Sequence, residues 1–148
     1  MNNYPSWWNT TITLFNKYED PLTQLVTWYK TTIEGCFWKN VHEKVKVGEV
    51  VLETDSLICR IRKNDKFVDA EQWLALPADT KANYFTLGYH DIIIKDAVDD
   101  TINEYQRGQR STEILAKYKR LQKCLEIEQF TDNTGGNRGN EHYLVKGL

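Results

Sequence analysis

Between Leu25 and Asn40 the chain reads LVTWYKTTIEGCFWKN, with apolar and polar residues changing places at almost every step. In an extended strand, a period of two puts Val26, Trp28, Lys30 and Thr32 on one face and Leu25, Thr27, Tyr29 and Thr31 on the other. Val, Thr, Ile, Trp, Tyr and Phe fill the run, the residue types that suit a pleated, half-buried surface. Gly35 interrupts it, where a bulge or bend fits. A strand this long needs partners, and the rest of the chain has to supply them.

Several segments qualify. TTITLFN (Thr10 to Asn16) alternates and is β-branched, so it reads as a strand. KYEDPLTQ reads as a loop, because Asp20–Pro21 sits badly in a helix or a central strand. SLICRIR (Ser56 to Arg62) is a strand with Leu57, Cys59 and Ile61 on one side. Asp69 is placed to cap a short helix that reaches Leu76 and stops at Pro77. A turn from Gly88 to Asp91 leads into Ile92–Ile93–Ile94, a buried strand. Ser111 to Cys124 is the clearest helix: Ser111 or Thr112 caps it, and Ile114, Leu115, Tyr118, Leu121 and Cys124 form one stripe. LEIEQFTDN and EHYLVKG are the last two strands, joined through Gly135, Gly136 and Gly139, a glycine-rich turn. The expected fold is mainly β: a small β-barrel or sandwich of about six strands, with one packed α-helix and a short extra helix. A length of 148 residues is one domain, with residues 1–9 as a flexible amino-terminal arm.

Composition removes some functions. The net charge of −2 argues against wholesale electrostatic binding to DNA. Cys36, Cys59 and Cys124 are odd in number and far apart, which fits neither a zinc site nor a disulfide framework. The amino terminus lacks the pattern of a signal peptide, and no apolar stretch is long enough to cross a bilayer, so a soluble intracellular product is expected.

Candidate chemistry is sparse. GGNRGN lacks the Gly-Lys-Ser/Thr ending of a phosphate loop, and a strand follows it where a helix would have to start. His90–Asp91 has the makings of a base with an orienting carboxylate, but it sits in a turn, where Asp commonly bonds its own backbone. No Ser or Cys stands in a nucleophile elbow. Asp96, Asp99, Asp100 and Glu104 could attract a cation, yet lack the spacing and glycine of a calcium loop. Lys117, Lys119, Arg120 and Lys123 around Tyr118 could touch nucleic acid, although helix periodicity turns the lysines to solvent. The expectation is a non-enzyme without cofactor or metal.

The order of the pieces is more informative. ITLFNKYED, WYKTTIEGCFW, DIIIKDAVDD, LAKYKRLQKCLEIEQFTDN and NEHYLVKG follow one another over most of the chain from Thr10 onward. This order resembles the head-closure, or stopper, proteins of the head-to-tail connector in long-tailed phages and prophages of Gram-positive hosts. Those sequences open on a strand, carry a "gd-ivkG"-like turn and strand, and end "DN-x-G…H-w-V-g-G". Asp96 stands where they often have glycine, and Tyr143 where many have tryptophan. The resemblance implies a β-barrel that assembles into a homo-oligomeric ring below the portal or its adaptor, retains packaged DNA and docks the tail. It implies a place in the virion neck, assembled in the host cytoplasm, with packaged DNA as a possible channel contact and no membrane partner. A tail-terminator or other neck subunit would share much of the pattern.

Within that picture the expected inter-subunit or channel loop is Lys44, Val45, Lys46, Val47, Gly48, Glu49 and Val50. It lies in NVHEKVKVGEVVLETD, whose alternating valines suit an extended hairpin arm. The rival reading is a barrel that binds single-stranded nucleic acid by stacking bases on exposed aromatics. A small hydrolase around His90 and Asp91 is the third.

Overall fold

The structure is a computed structural model, and it describes residues 4–135 and 140–148. Six antiparallel strands close a barrel in the order β1-β2-β3-β6-β5-β4. They are β1 (Thr10–Glu19), β2 (Val26–Val47), β3 (Val50–Arg62), β4 (Ile92–Lys95), β5 (Cys124–Asn133) and β6 (His142–Gly147). Among the described residues three short helices accompany them: α1 (Ala70–Leu74), α2 (Ala78–Lys81) and α3 (Ser111–Lys119). Closure gives every strand a neighbour on both sides over part of its length, which covers much of the edge a small sheet would otherwise expose.

The long alternating run serves two sheets. Its first half pairs with β1, from Glu19↔Val26 to Thr10↔Cys36, and its second half pairs with β3, from Phe37↔Arg60 to Val47↔Val50. The changeover falls between Cys36 and Phe37, just after Gly35, which has φ +73° and where a Cβ would lie 2.9 Å from Arg62 Nε. Gly35 thus supplies both the left-handed backbone and the close approach that the barrel corner needs.

Alternation sorts the side chains into two cores. Ile12, Leu14, Ile33, Cys36, Leu57, Cys59, Ile61, Ile93, Leu125, Ile127, Tyr143 and Val145 fill the barrel, and Phe85 and Leu87 join them. Phe15, Ile92 and Ile94 point the other way, into a second core with Ile102, Ile114, Tyr118 and Cys124. Strand β1 is therefore buried on both faces from Ile12 to Asn16, because α3 and the loop before it cover its outer side.

Several expectations change in detail. The segment read as a loop from Lys17 continues β1 to Glu19, and the turn begins only at Asp20, where Oδ1 accepts from Leu22 N. Helix α1 stops at Leu74 and receives no side-chain cap from Asp69. Helix α2 follows directly after Pro77 and was not anticipated. Helix α3 is capped from a distance: Glu104 accepts from both Ser111 N (2.6 Å) and Ser111 Oγ (2.9 Å). Leu121 lies beyond the end of α3 and is exposed, so the apolar stripe is shorter than its spacing implied. Strand β6 pairs with β5 from Asn133↔His142 to Ile127↔Gly147, with a register shift between Ile127 and Gln129. The amino-terminal segment is laid against the barrel from Tyr4 onward. Trp8 is buried edge-on to His142, and Tyr4 Oη donates to the Glu141 carbonyl.

Candidate functional site

Beyond Asn40 and Leu57 the β2–β3 ribbon leaves the barrel. Strand β6 accompanies β3 along Leu57–Arg62, and β1 leaves β2 at Cys36, so among the described residues Val41–Val47 and Val50–Ser56 pair only with each other. At about 3.3 Å per residue, these seven-residue strands project roughly 20 Å. Gly48, with φ +64°, and Glu49 turn the tip. The expected loop Lys44 to Val50 is thus the end of a regular hairpin arm.

The register gives the arm two unlike faces. Val45↔Leu52 and Val47↔Val50 are direct cross-strand pairs and share a face, and all four side chains are about half exposed or more. On the opposite face Lys44 lies 3.6 Å from Glu53, and His42 pairs with Asp55. One face therefore carries these pairs beside Lys46 and Val51, and the other is aliphatic and uncovered. A lone two-stranded hairpin is marginal in water, and an uncovered aliphatic face marks an interaction surface.

The other sequence candidates fall as follows. His90 and Asp91 do not form a dyad. His90 has φ +72° and faces solvent, with Nδ1 2.8 Å from Glu126 Oε1. Asp91 turns into the barrel wall, where Oδ1 accepts from Lys17 N (2.9 Å) and Oδ2 accepts from Asn16 Nδ2 (2.8 Å) and Gly88 N (2.9 Å). Burial raises the Asp91 carboxyl to about 6, against the three donors that hold it down. This carboxylate latches β1 to the turn before β4.

The acidic group scatters. Asp96 pairs with Lys123, Asp100 pairs with Lys117, and Glu104 caps α3. Among the described residues no three His, Cys, Asp or Glu side chains gather as a metal site would need. Pairing with Asp100 and Asp96 leaves Lys119 and Arg120 as the exposed cations at the end of α3. Of the glycine-rich turn, Gly135 is exposed, while Gly136, Arg138 and Gly139 lie outside the described residues. The cysteines are buried thiols; burial pushes Cys124 up to about 11, and a hydrogen bond with Cys36 together with burial raises Cys59, so neither is a reactive thiolate.

Three features escaped the sequence reading. Lys81 is buried, with Nζ donating to the Leu74 carbonyl (3.0 Å) and lying 3.8 Å from the Tyr18 ring centroid and 5.0 Å from that of Trp73; burial lowers its pKa. It ties α1 and α2 to β1. On the outer face of β3, Arg60 stacks on Phe37 (5.1 Å) and Arg62 on Tyr4 (4.8 Å). A groove of about 390 Å3 runs between Leu25–Trp28 and Thr101–Gln109. Each joins residues far apart in the chain, so no local pattern could have disclosed it.

No helix among the described residues is long and apolar enough to cross a membrane. A family model described as a family of unknown function (DUF6751) matches residues 7–148. No curated protein and no solved structure matches the chain.

Proposed function

The chain belongs to a family of unknown function (DUF6751), and we propose that this member is a non-enzymatic structural subunit of a phage head-to-tail connector, most specifically the head-closure subunit. What carries the reading is the arm. A closed barrel provides a rigid body, and an amphipathic hairpin standing off it provides a part shaped for contact with another protein. The order of motifs that resembles stopper proteins supplies the biological setting: a ring under the portal or its adaptor, holding packaged DNA and receiving tail proteins. Asp96 supports the resemblance, since it takes φ +80° at a position where those sequences often carry glycine.

The test is an electron micrograph of particles assembled without the protein, and of particles carrying a version that lacks Lys44 to Val50. Filled heads without tails that leak DNA are the expected outcome in both cases. Tails of irregular length would favour a tail-terminator role, and normal particles would overturn both.

A second reading draws on the cations of the β3 face. Arg60 and Lys39 sit on the outer side of the wall beside Phe37, and among the described residues neither has a carboxylate within ion-pair distance. Arg–aromatic surfaces on small barrels can bind single-stranded nucleic acid. A mobility shift with single-stranded oligonucleotides decides it: binding that weakens steeply with salt and is lost in Arg60→Ala favours this reading, and no shift at low salt removes it.

A further inference from the structure

Strand β2 is open at both of its ends, in complementary ways. At its start, Val26 to Ile33 pair with β1 along one edge, and among the described residues no strand borders the other edge, where Val26 N donates to Tyr105 Oη (2.8 Å). Next to its first residues lies the groove lined by Val26, Trp28, Ile102 and Tyr105, with the exposed Leu25 and Tyr105 on its rim and Leu22 exposed in the adjoining turn. The indole N–H of Trp28 is buried without a hydrogen-bond partner. At the far end of β2 stands the arm, whose two strands each have an unpaired edge and whose aliphatic face is uncovered.

We propose that the arm of one copy docks at the groove of a second copy of this chain, laying a strand along the open edge of β2. This deepens the self-assembly in the reading above by naming its two surfaces. A strand edge is best satisfied by another strand, through main-chain hydrogen bonds with alternate side chains entering pockets. The arm supplies such an edge together with Val45, Val47, Val50 and Leu52, which match the apolar part of the groove, Leu25, Val26, Trp28 and Ile102. Charge agrees: among the described residues Glu49 at the tip has no cation within ion-pair distance, and Lys30, two residues after Trp28, and Arg107, between Tyr105 and Gln109 in the chain, have no carboxylate. On the second face Lys44 and Lys46 are balanced in charge by Glu53 and Asp55, which offers little to a polyanion, so a protein surface is the occupant. The two surfaces differ and sit at opposite ends of one strand, so the contact is head-to-tail, and repetition closes into a ring where the rotation permits.

Thiol cross-linking tests the contact, because the native cysteines are buried. Val47→Cys and Thr27→Cys are made as separate proteins, and each is checked by circular dichroism for a native fold. A short bismaleimide should link the two in a mixture, leave each alone unlinked, and convert the double variant into a covalent ladder. Val47→Glu with Val50→Glu should weaken self-association at least tenfold in sedimentation while the melting temperature stays unchanged. Linkage of Val47→Cys with itself would mean an arm-to-arm contact and overturn the proposal. So would a protein that stays monomeric at every concentration, or an unlinked mixture under conditions of self-association. If arm and groove link but particles lacking the protein still retain DNA and carry tails, the contact stands and the head-closure reading falls. If particles fail as expected without any arm-to-groove link, this contact alone is wrong.

Discussion

His90 and Asp91 are neighbours in the chain, and the barrel sends them in opposite directions, one to solvent and one into the wall. The Asp91 carboxyl stands near 6 when folded, above its ordinary 3.8, because burial disfavours its charged form. The folded state therefore holds this proton more tightly than the unfolded state. Its contribution to stability is fully present below about pH 4 and is lost as the pH rises through about 6, by on the order of 2–3 kcal/mol at most. Asp91→Asn removes that titration and turns an amide N–H toward donors the carboxylate accepted, at a cost of about 1–3 kcal/mol. Urea midpoints should show a wider gap between wild type and Asp91→Asn at pH 4.5 than at pH 7; a gap that widens with pH would refute the assignment. Two glycines make a second contrast. A Cβ on Gly147 would lie 2.0 Å from the Glu126 carbonyl oxygen, so Gly147→Ala should cost more than about 3 kcal/mol or prevent folding. Gly48 has open space around it and only a left-handed φ to lose, so Gly48→Ala should cost about 1 kcal/mol, with a melting curve as the measurement.

Among the elements, the arm and β6 are opposites. The arm buries no side chain between Lys44 and Val50, and its removal leaves Val51–Leu52–Glu53 as a three-residue turn between the paired Glu43 and Thr54. Deleting Lys44 to Val50 should therefore leave the melting temperature within a few degrees of wild type. Strand β6 closes the barrel between β3 and β5 and buries Tyr143 and Val145. Deleting Glu141 to Leu148 should open two edges, uncover the core and yield insoluble protein, a loss on the order of 5 kcal/mol or more. Soluble, cooperatively melting protein from that truncation would contradict the closed barrel. The strands were legible because burial on one face or two writes itself into alternation and apolar runs. The caps were not: Ser111 looks like a helix cap by sequence, yet the carboxylate that satisfies that terminus is Glu104, brought round by a loop.

For the whole molecule, the mechanical question is how a chain of net charge −2 would hold to copies of itself. The contact inferred from the arm is mainly apolar, with Glu49 as its one conspicuous charge. Self-association measured by sedimentation should change only a few-fold between roughly 0.05 and 0.5 M salt, since screening acts on exposed charges and leaves apolar burial intact. A steep loss with salt would point away from the aliphatic face and toward the cations of the β3 face.

What the chain determined by itself was the β class, the count of about six strands, the helix before Cys124 and the extended hairpin within Asn40 to Asp55. These depend on periodicity and on turn formers, which are local properties of the backbone and its side chains. The barrel's closure, the register of β5 on β6, the burial of Lys81 between Tyr18 and Trp73, and the groove beside Trp28 were decided only by tertiary structure. Each depends on packing between segments and not on any local pattern. The energies that choose such contacts come from burial and close approach, as at Gly35 against Arg62 and Gly147 against Glu126, and neither glycine's neighbours along the chain reveal what it must pass.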